Sequence, residues 1–202
     1  MYIPKHFSNT DRESILEFIR KYSFGLLVTA EDNIPEATHL PFLIEERDGE
    51  VIITSHLAKA NQQSKQLTQN EVMVVFSEPH AYISPKYYEK EQNVPTWNYI
   101  AVHAYGKATI IDTAEQLSAM MEKMIAQYDT AYLNQWNNLP AEFKTRMYNG
   151  IVAFEIRVTS LQAKNKLSQN RSENERKNII EAFEKSGDNN EAGIAEYMKK
   201  GK

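Results

Sequence analysis

Pro79 to Gly106 reads PHAYISPKYYEKEQNVPTWNYIAVHAYG. Its 28 residues hold five of the chain's eleven tyrosines, one of its two tryptophans and two of its five histidines. Rings with an apolar body and a polar tip suit a pocket that grips a flat, heteroatom-rich ligand, or a surface between subunits. Ala81 to Ser84 and the run from Trp97 to Ile111 are rich in aromatic and aliphatic residues, which predicts strands. The stretch points to a binding site built where strands or subunits meet.

Upstream of it, Thr10-Asp11-Arg12-Glu13 is a capping-box signature for a helix ending near Tyr22, with Ile15, Leu16, Phe18 and Ile19 at helical spacing. Phe24 to Ala30 reads as a buried strand, Glu31-Asp32-Asn33 as its turn and Glu36 to Glu45 as the next strand. Asp48-Gly49 marks a hairpin into Val51 to Ser55. A short helix is expected from Asn61 to Leu67 and a strand from Val72 to Ser77. Downstream, Thr113 to Tyr128 is amphipathic, with Leu117, Met120, Met121, Met124 and Ile125 on its inner face. Pro140 suits the first turn of a helix reaching Tyr148, and Ile151 to Val158 reads as the last strand. Ser172-Glu173-Asn174-Glu175 caps a helix to Lys185, and the last fifteen residues look frayed. Short strands between turn signals, with helices at both ends, predict a mainly β protein with flanking helices: an antiparallel barrel, closed or partly open.

At 202 residues, with 42% hydrophobic and 25% charged content, the chain can bury the core of one soluble domain. We expect residues 1–170 to form that domain and 171–202 a helical C-terminal extension. There is no cysteine, which excludes disulfides, thiolate metal sites and thiol nucleophiles. The N-terminal residues lack a basic and then apolar signal pattern, and no apolar run approaches the ~20 residues of a membrane span. The expected location is the cytoplasm, away from membranes. The net charge is −4, but residues from Arg157 onward carry +3 and the remainder −7. A basic tail can hold a phosphate or touch DNA, though more often it is a solvated helix face.

Thr54-Ser55-His56-Leu57-Ala58-Lys59-Ala60-Asn61 leaves an expected strand and enters an expected helix. Hydroxyls, an amide, an ammonium and free helical N–H groups together suit a phosphate. The alternative is a polar strand-to-helix turn with an exposed lysine. A second concentration of donors, Lys164 to Arg171, can reach a phosphate or ring carbonyls, or simply cap the final helix. The histidines His6, His39, His56, His80 and His103 include no i, i+4 pair and no HExxH motif, so no metal site is expected. His39 and His56 sit at or near strand ends, where a neutral imidazole can bind a ligand or satisfy the backbone. No GxSxG elbow or paired carboxylates support hydrolysis, and no catalytic residue is assigned.

His80-Ala81-Tyr82-Ile83-Ser84-Pro85, Val94-Pro95-Thr96-Trp97-Asn98-Tyr99, Val102-His103-Ala104-Tyr105-Gly106 and Lys166-Leu167-Ser168-Gln169-Asn170-Arg171 together resemble the PaiB family. Met1-Tyr2-Ile3-Pro4, Ala37-Thr38-His39-Leu40-Pro41 and His56-Leu57-Ala58-Lys59-Ala60-Asn61 are similar to it as well, so the resemblance runs from Met1 to Arg176. It implies an FMN-binding split β-barrel, related to pyridoxamine phosphate oxidase, that works as a homodimer. It further implies that Thr38, His39, Leu40 and Pro41 lie along the isoalloxazine ring, and that Thr54, Ser55, Lys59 and Asn61 hold the phosphate, with His56 beside them. Trp97, Asn98, Lys166, Gln169 and Arg171 would complete the pocket from the partner subunit.

The resemblance implies a negative transcriptional regulator of degradative-enzyme and sporulation genes. Direct DNA binding has no support from the sequence, since no helix pair joined by a short glycine-containing turn carries a basic recognition helix. Two alternatives stay open: an FMN-dependent oxidoreductase acting on a small molecule, and a heme-handling split barrel using His39, His56 or His103.

Overall fold

The computed structural model describes residues 1–200. Its strands are β1 (Ser8–Asn9), β2 (Phe24–Glu31), β3 (Ile34–Pro41), β4 (Leu43–Arg47), β5 (Glu50–Ala58), β6 (Val72–Ile83), β7 (Thr96–Ile111) and β8 (Ile151–Lys166). Its helices are α1 (Arg12–Lys21), α2 (Ala114–Tyr128), α3 (Thr130–Asn138), α4 (Ala141–Tyr148), α5 (Glu173–Glu184) and α6 (Asn189–Lys200). The strands form one sheet in the order β3-β2-β6-β7-β8-β5-β4, with β1 added to β8.

The hairpins arise where the sequence allows positive φ. Asp32 and Asn33 (φ 50° and 63°) join β2 to β3, and Asp48 and Gly49 (φ 53° and 82°) join β4 to β5. Both are two-residue turns, with Glu31 opposite Ile34 and Arg47 opposite Glu50. Such primed turns match the twist of antiparallel strands. β3 and β4 stand at opposite ends of the sheet order, although Phe42 alone separates them in the chain. The sheet must therefore curl until its ends meet at Phe42, whose N–H donates to the Ser23 carbonyl at 2.8 Å and whose ring is fully buried. The result is a split β-barrel with flanking helices.

Two compact units divide the chain. One gathers Leu16–Val75 and Ala104–Leu161; the other gathers Met1–Ile15, Phe76–His103 and the described residues from Gln162 onward. In the first, α2 starts at an N-cap where Thr113 accepts from the Gln116 N–H. Met120 and Met124 of α2 pack on Ala153, with Leu43, Ile111, Leu117, Met121 and Ile151 around them. In the second, α5 begins at Ser172, which accepts from the Glu175 N–H at 3.2 Å. Its Ile179 and Phe183 are buried, as are Ile194, Ala195 and Met198 of α6.

Five features depart from expectation. The tail expected to be frayed forms α6, because its apolar residues recur at helical spacing and are buried; the final two residues lie outside the described part. α3 was not foreseen: it follows α2 after the single residue Asp129, which starts it by accepting from the Tyr132 N–H at 3.1 Å. The helix expected from Asn61 to Leu67 is only a 3-10 turn, Gln62–Lys65, since Gln-Gln-Ser-Lys offers no apolar stripe to bury. The strand from Val72 does not stop at Ser77 but runs on to Ile83: burial alternation slips at Ser77 and Glu78, both exposed, and resumes with Pro79, Ala81 and Ile83. Likewise β8 continues past Val158 to Lys166, through polar residues that hide its alternation.

Candidate functional site

The residues expected to hold a phosphate and a ring fall into two clusters, one in each compact unit. The first lies along the seam between β3 and β5. β3 is an end strand with β2 as its ladder partner, so alternate N–H and C=O groups of Thr38–Pro41 face away from the ladder. Side chains bridge the seam instead. Ser55, wholly buried, donates its hydroxyl to the Pro41 carbonyl at 2.7 Å. Asn61 donates its amide to Thr38 Oγ1 at 3.0 Å, while its own Oδ1 accepts from the Gln63 N–H at 2.9 Å. Thr38, Pro41, Ser55 and Asn61 thus come together.

Gln63 was not foreseen. Fully buried, it donates to the carbonyls of Leu27 (3.2 Å) and Glu36 (3.0 Å) and to Thr29 Oγ1 (3.2 Å). It ties the turn after Asn61 to both strands of the β2–β3 hairpin. Nothing local in the sequence marks it, because all three partners are distant in the chain. Lys59 sits on the same turn, with its backbone N–H held by the Gly150 carbonyl at 2.9 Å. Its side chain is exposed and makes no ion pair among the described residues. Donors of this kind, one formal cation with hydroxyls and amides around an unpaired strand edge, fit a phosphate monoester attached to a flat polar ring.

Strand alternation separates the remaining residues of this cluster. Thr54 and His56 face the opposite side of β5 from Ser55. Thr54 Oγ1 and His56 Nδ1 are both buried without a hydrogen-bond partner. Burial lowers the His56 pKa, so the ring is neutral at neutral pH. Leu40 is buried, and His39 is exposed with its ring stacked on Phe24 at a centroid distance of 6.2 Å.

The second cluster joins the start of β7 to the turn between β8 and α5. Asn98 is wholly buried and shares two hydrogen bonds with the Ser168 hydroxyl, at 3.0 and 3.1 Å. Ser168 has a φ of 58°, so the pair holds a tight left-handed turn in place. Gln169 is also engaged locally, accepting from the Leu167 N–H at 2.7 Å and donating to the Asn165 carbonyl. Arg171 donates to Asn93 Oδ1 at 2.8 Å and lies 3.8 Å above the Tyr88 ring, with Glu175 4.0 Å away. Lys166 donates to the Thr96 hydroxyl and the Trp97 carbonyl, and its pKa is lowered by burial and then by Lys164 and Arg171. Trp97 is half exposed and meets Tyr82 edge-on at 5.8 Å, with His80 at 6.1 Å. Asn98 and Gln169 therefore shape this turn, while Trp97 and Lys166 remain at its surface.

Residues 1–160 match the family model described as "Putative FMN-binding domain". The chain is 43% identical over 202 residues to the protease synthase and sporulation protein PAI 2 of Bacillus subtilis, covering 98% of this chain and 96% of that one. An uncharacterised protein of Aspergillus fumigatus is 28% identical over 252 aligned positions, covering 98% and 97%. Among solved structures, the flavocytochrome Anf3 of Azotobacter vinelandii superposes with a TM-score of 0.65 at 12% identity, over 81% of this chain and 72% of that one. The FAD- and heme-binding protein of Mycobacterium smegmatis gives 0.62 at 12% identity, over 79% and 73%. At that identity the likeness establishes the fold alone. No helix among the described residues is long and apolar enough to cross a membrane.

Proposed function

This chain belongs to the FMN-binding-domain family, and we propose that it is a homodimeric FMN-binding regulator whose flavin sits in the seam between β3 and β5. The observation that carries the proposal is the convergence of Ser55, Asn61 and Thr38 at an unpaired strand edge, with the Lys59 ammonium exposed on the adjoining turn. Lys59 and Asn61 hold the phosphate in this reading, and the edge of Thr38–Pro41 meets the polar rim of the ring. Ser55 keeps the Pro41 carbonyl in place. Thr54 and His56, facing the other way, contribute main chain alone. FMN supplies hydride and single-electron transfer when bound.

A partner subunit supplies Trp97 and Lys166 to each site, an arrangement that isologous symmetry repeats twice. The half-exposed Trp97–Tyr82–His80 patch supports this, since aromatic rings are enriched at subunit interfaces. The regulatory role follows the sporulation protein named in Bacillus subtilis. We place its action in the flavin and the dimer rather than in DNA contact by the helical tail. α5 and α6 are joined by a short turn containing Gly187, but Lys199 and Lys200 of α6 are paired with Glu184 and Glu196.

A visible absorption spectrum of the purified protein, taken with FMN and followed through gel filtration, tests the reading. Flavin absorbance should travel with a species of twice the chain mass. A colourless protein that takes up no FMN would contradict it.

A further inference from the structure

The other face of β5 carries a feature that the flavin does not use. Leu43, Thr54 and Glu155 lie in register across β4, β5 and β8, and so share one face of the sheet. Beneath α2 that face opens into a groove of ≈ 340 Å³. Around it four charges alternate in sign. Lys123 of α2 pairs with Glu45 at 2.5 Å, Arg47 lies 3.7 Å from Glu45, and Arg47 pairs with Glu155 at 2.7 Å. Leu43, Ile111 and Met120 supply apolar wall. Thr54 lies on the floor of the groove, 3% exposed, with its hydroxyl oxygen buried.

We propose that this groove is a binding site for an aliphatic α-amino acid. A carboxylate alone would meet Glu45 and Glu155, and an amine alone would meet Arg47 and Lys123. A ligand with both charges a few bonds apart meets opposite charges at both ends. Its ammonium faces Glu155 and Glu45, its carboxylate faces Arg47, and its side chain lies on Met120 and Ile111. The groove has the volume usual for small-molecule pockets. Because Thr54 and Ser55 face opposite ways, this site stands whether or not flavin occupies the seam.

Isothermal titration of the purified protein with L-leucine, L-valine and L-methionine tests it, with 4-methylpentanoate and 3-methylbutylamine as single-charge controls. At least one amino acid should give saturable heat, and each control should bind about tenfold more weakly, as the loss of one charge-assisted hydrogen bond implies. Ala119→Trp, which fills the groove from an exposed position on α2, should abolish the heat, and Glu155→Gln should weaken binding about tenfold. Neither variant should change the flavin spectrum. Absence of saturable heat with all three amino acids would overturn the proposal. So would controls that bind as tightly, or a folded Glu155→Gln protein that binds unchanged.

Discussion

Gly106 shows how far a single atom can matter. A Cβ placed there would lie 2.3 Å from the Arg157 carbonyl oxygen and 2.7 Å from the Ile156 side chain, closer than any real contact. The obstruction is backbone, which cannot swing away. Gly106→Ala should therefore lower stability by about 1–3 kcal/mol, the range for overpacked sites, with chemical denaturation as the measurement. His56 makes a second prediction at this scale. Its pKa lies below the ordinary 6.5 because burial disfavours the charged ring. The unfolded chain then binds the proton more readily, so stability is unaffected above about 6.5 and falls as pH drops through that value. His103 shifts in the same direction, through burial and then the N-terminal ammonium. Urea midpoints at pH 7.5 and 5.5 should show the loss, and His56→Gln should reduce it. An equal loss in that variant would exclude His56 as a source.

Among the elements, the start of β7 and the β3–β5 seam divide what sequence can reveal from what it cannot. Both hairpins and the capped start of α5 were legible, since each depends on residues within four positions of one another. Ser55, Lys59 and Asn61 were legible as a group of donors because they lie within seven residues of one another, although their partners Pro41 and Thr38 are distant in the chain. Gln63 was not, because its role depends on Leu27, Thr29 and Glu36. Nor was the division of labour in the second cluster, where Asn98 and Gln169 are engaged inside the fold. Strand alternation, once β5 was in view, set Thr54 and His56 apart from Ser55. Trp97, half exposed beside Tyr82, is the element-scale test of the dimer. Trp97→Ala should leave the thermal transition nearly unchanged and raise the dimer dissociation constant at least tenfold, read by sedimentation equilibrium, as loss of a buried aromatic anchor implies. Unchanged association would place the interface elsewhere.

For the whole molecule, the central claim is that a split barrel presents its seam to a phosphorylated flavin, with Lys59 supplying the formal charge. The fold and family are established by the topology and by the family match over residues 1–160. The seam itself is most directly tested by titrating the protein with FMN and with riboflavin, which differ only in the phosphate. Flavin fluorescence quenching should report FMN binding tighter by roughly 1.5–3 kcal/mol, the contribution of a charge-assisted hydrogen bond, and Lys59→Ala should erase most of that difference. Equal affinity for the two flavins, or a difference that survives in Lys59→Ala, would contradict this placement of the phosphate.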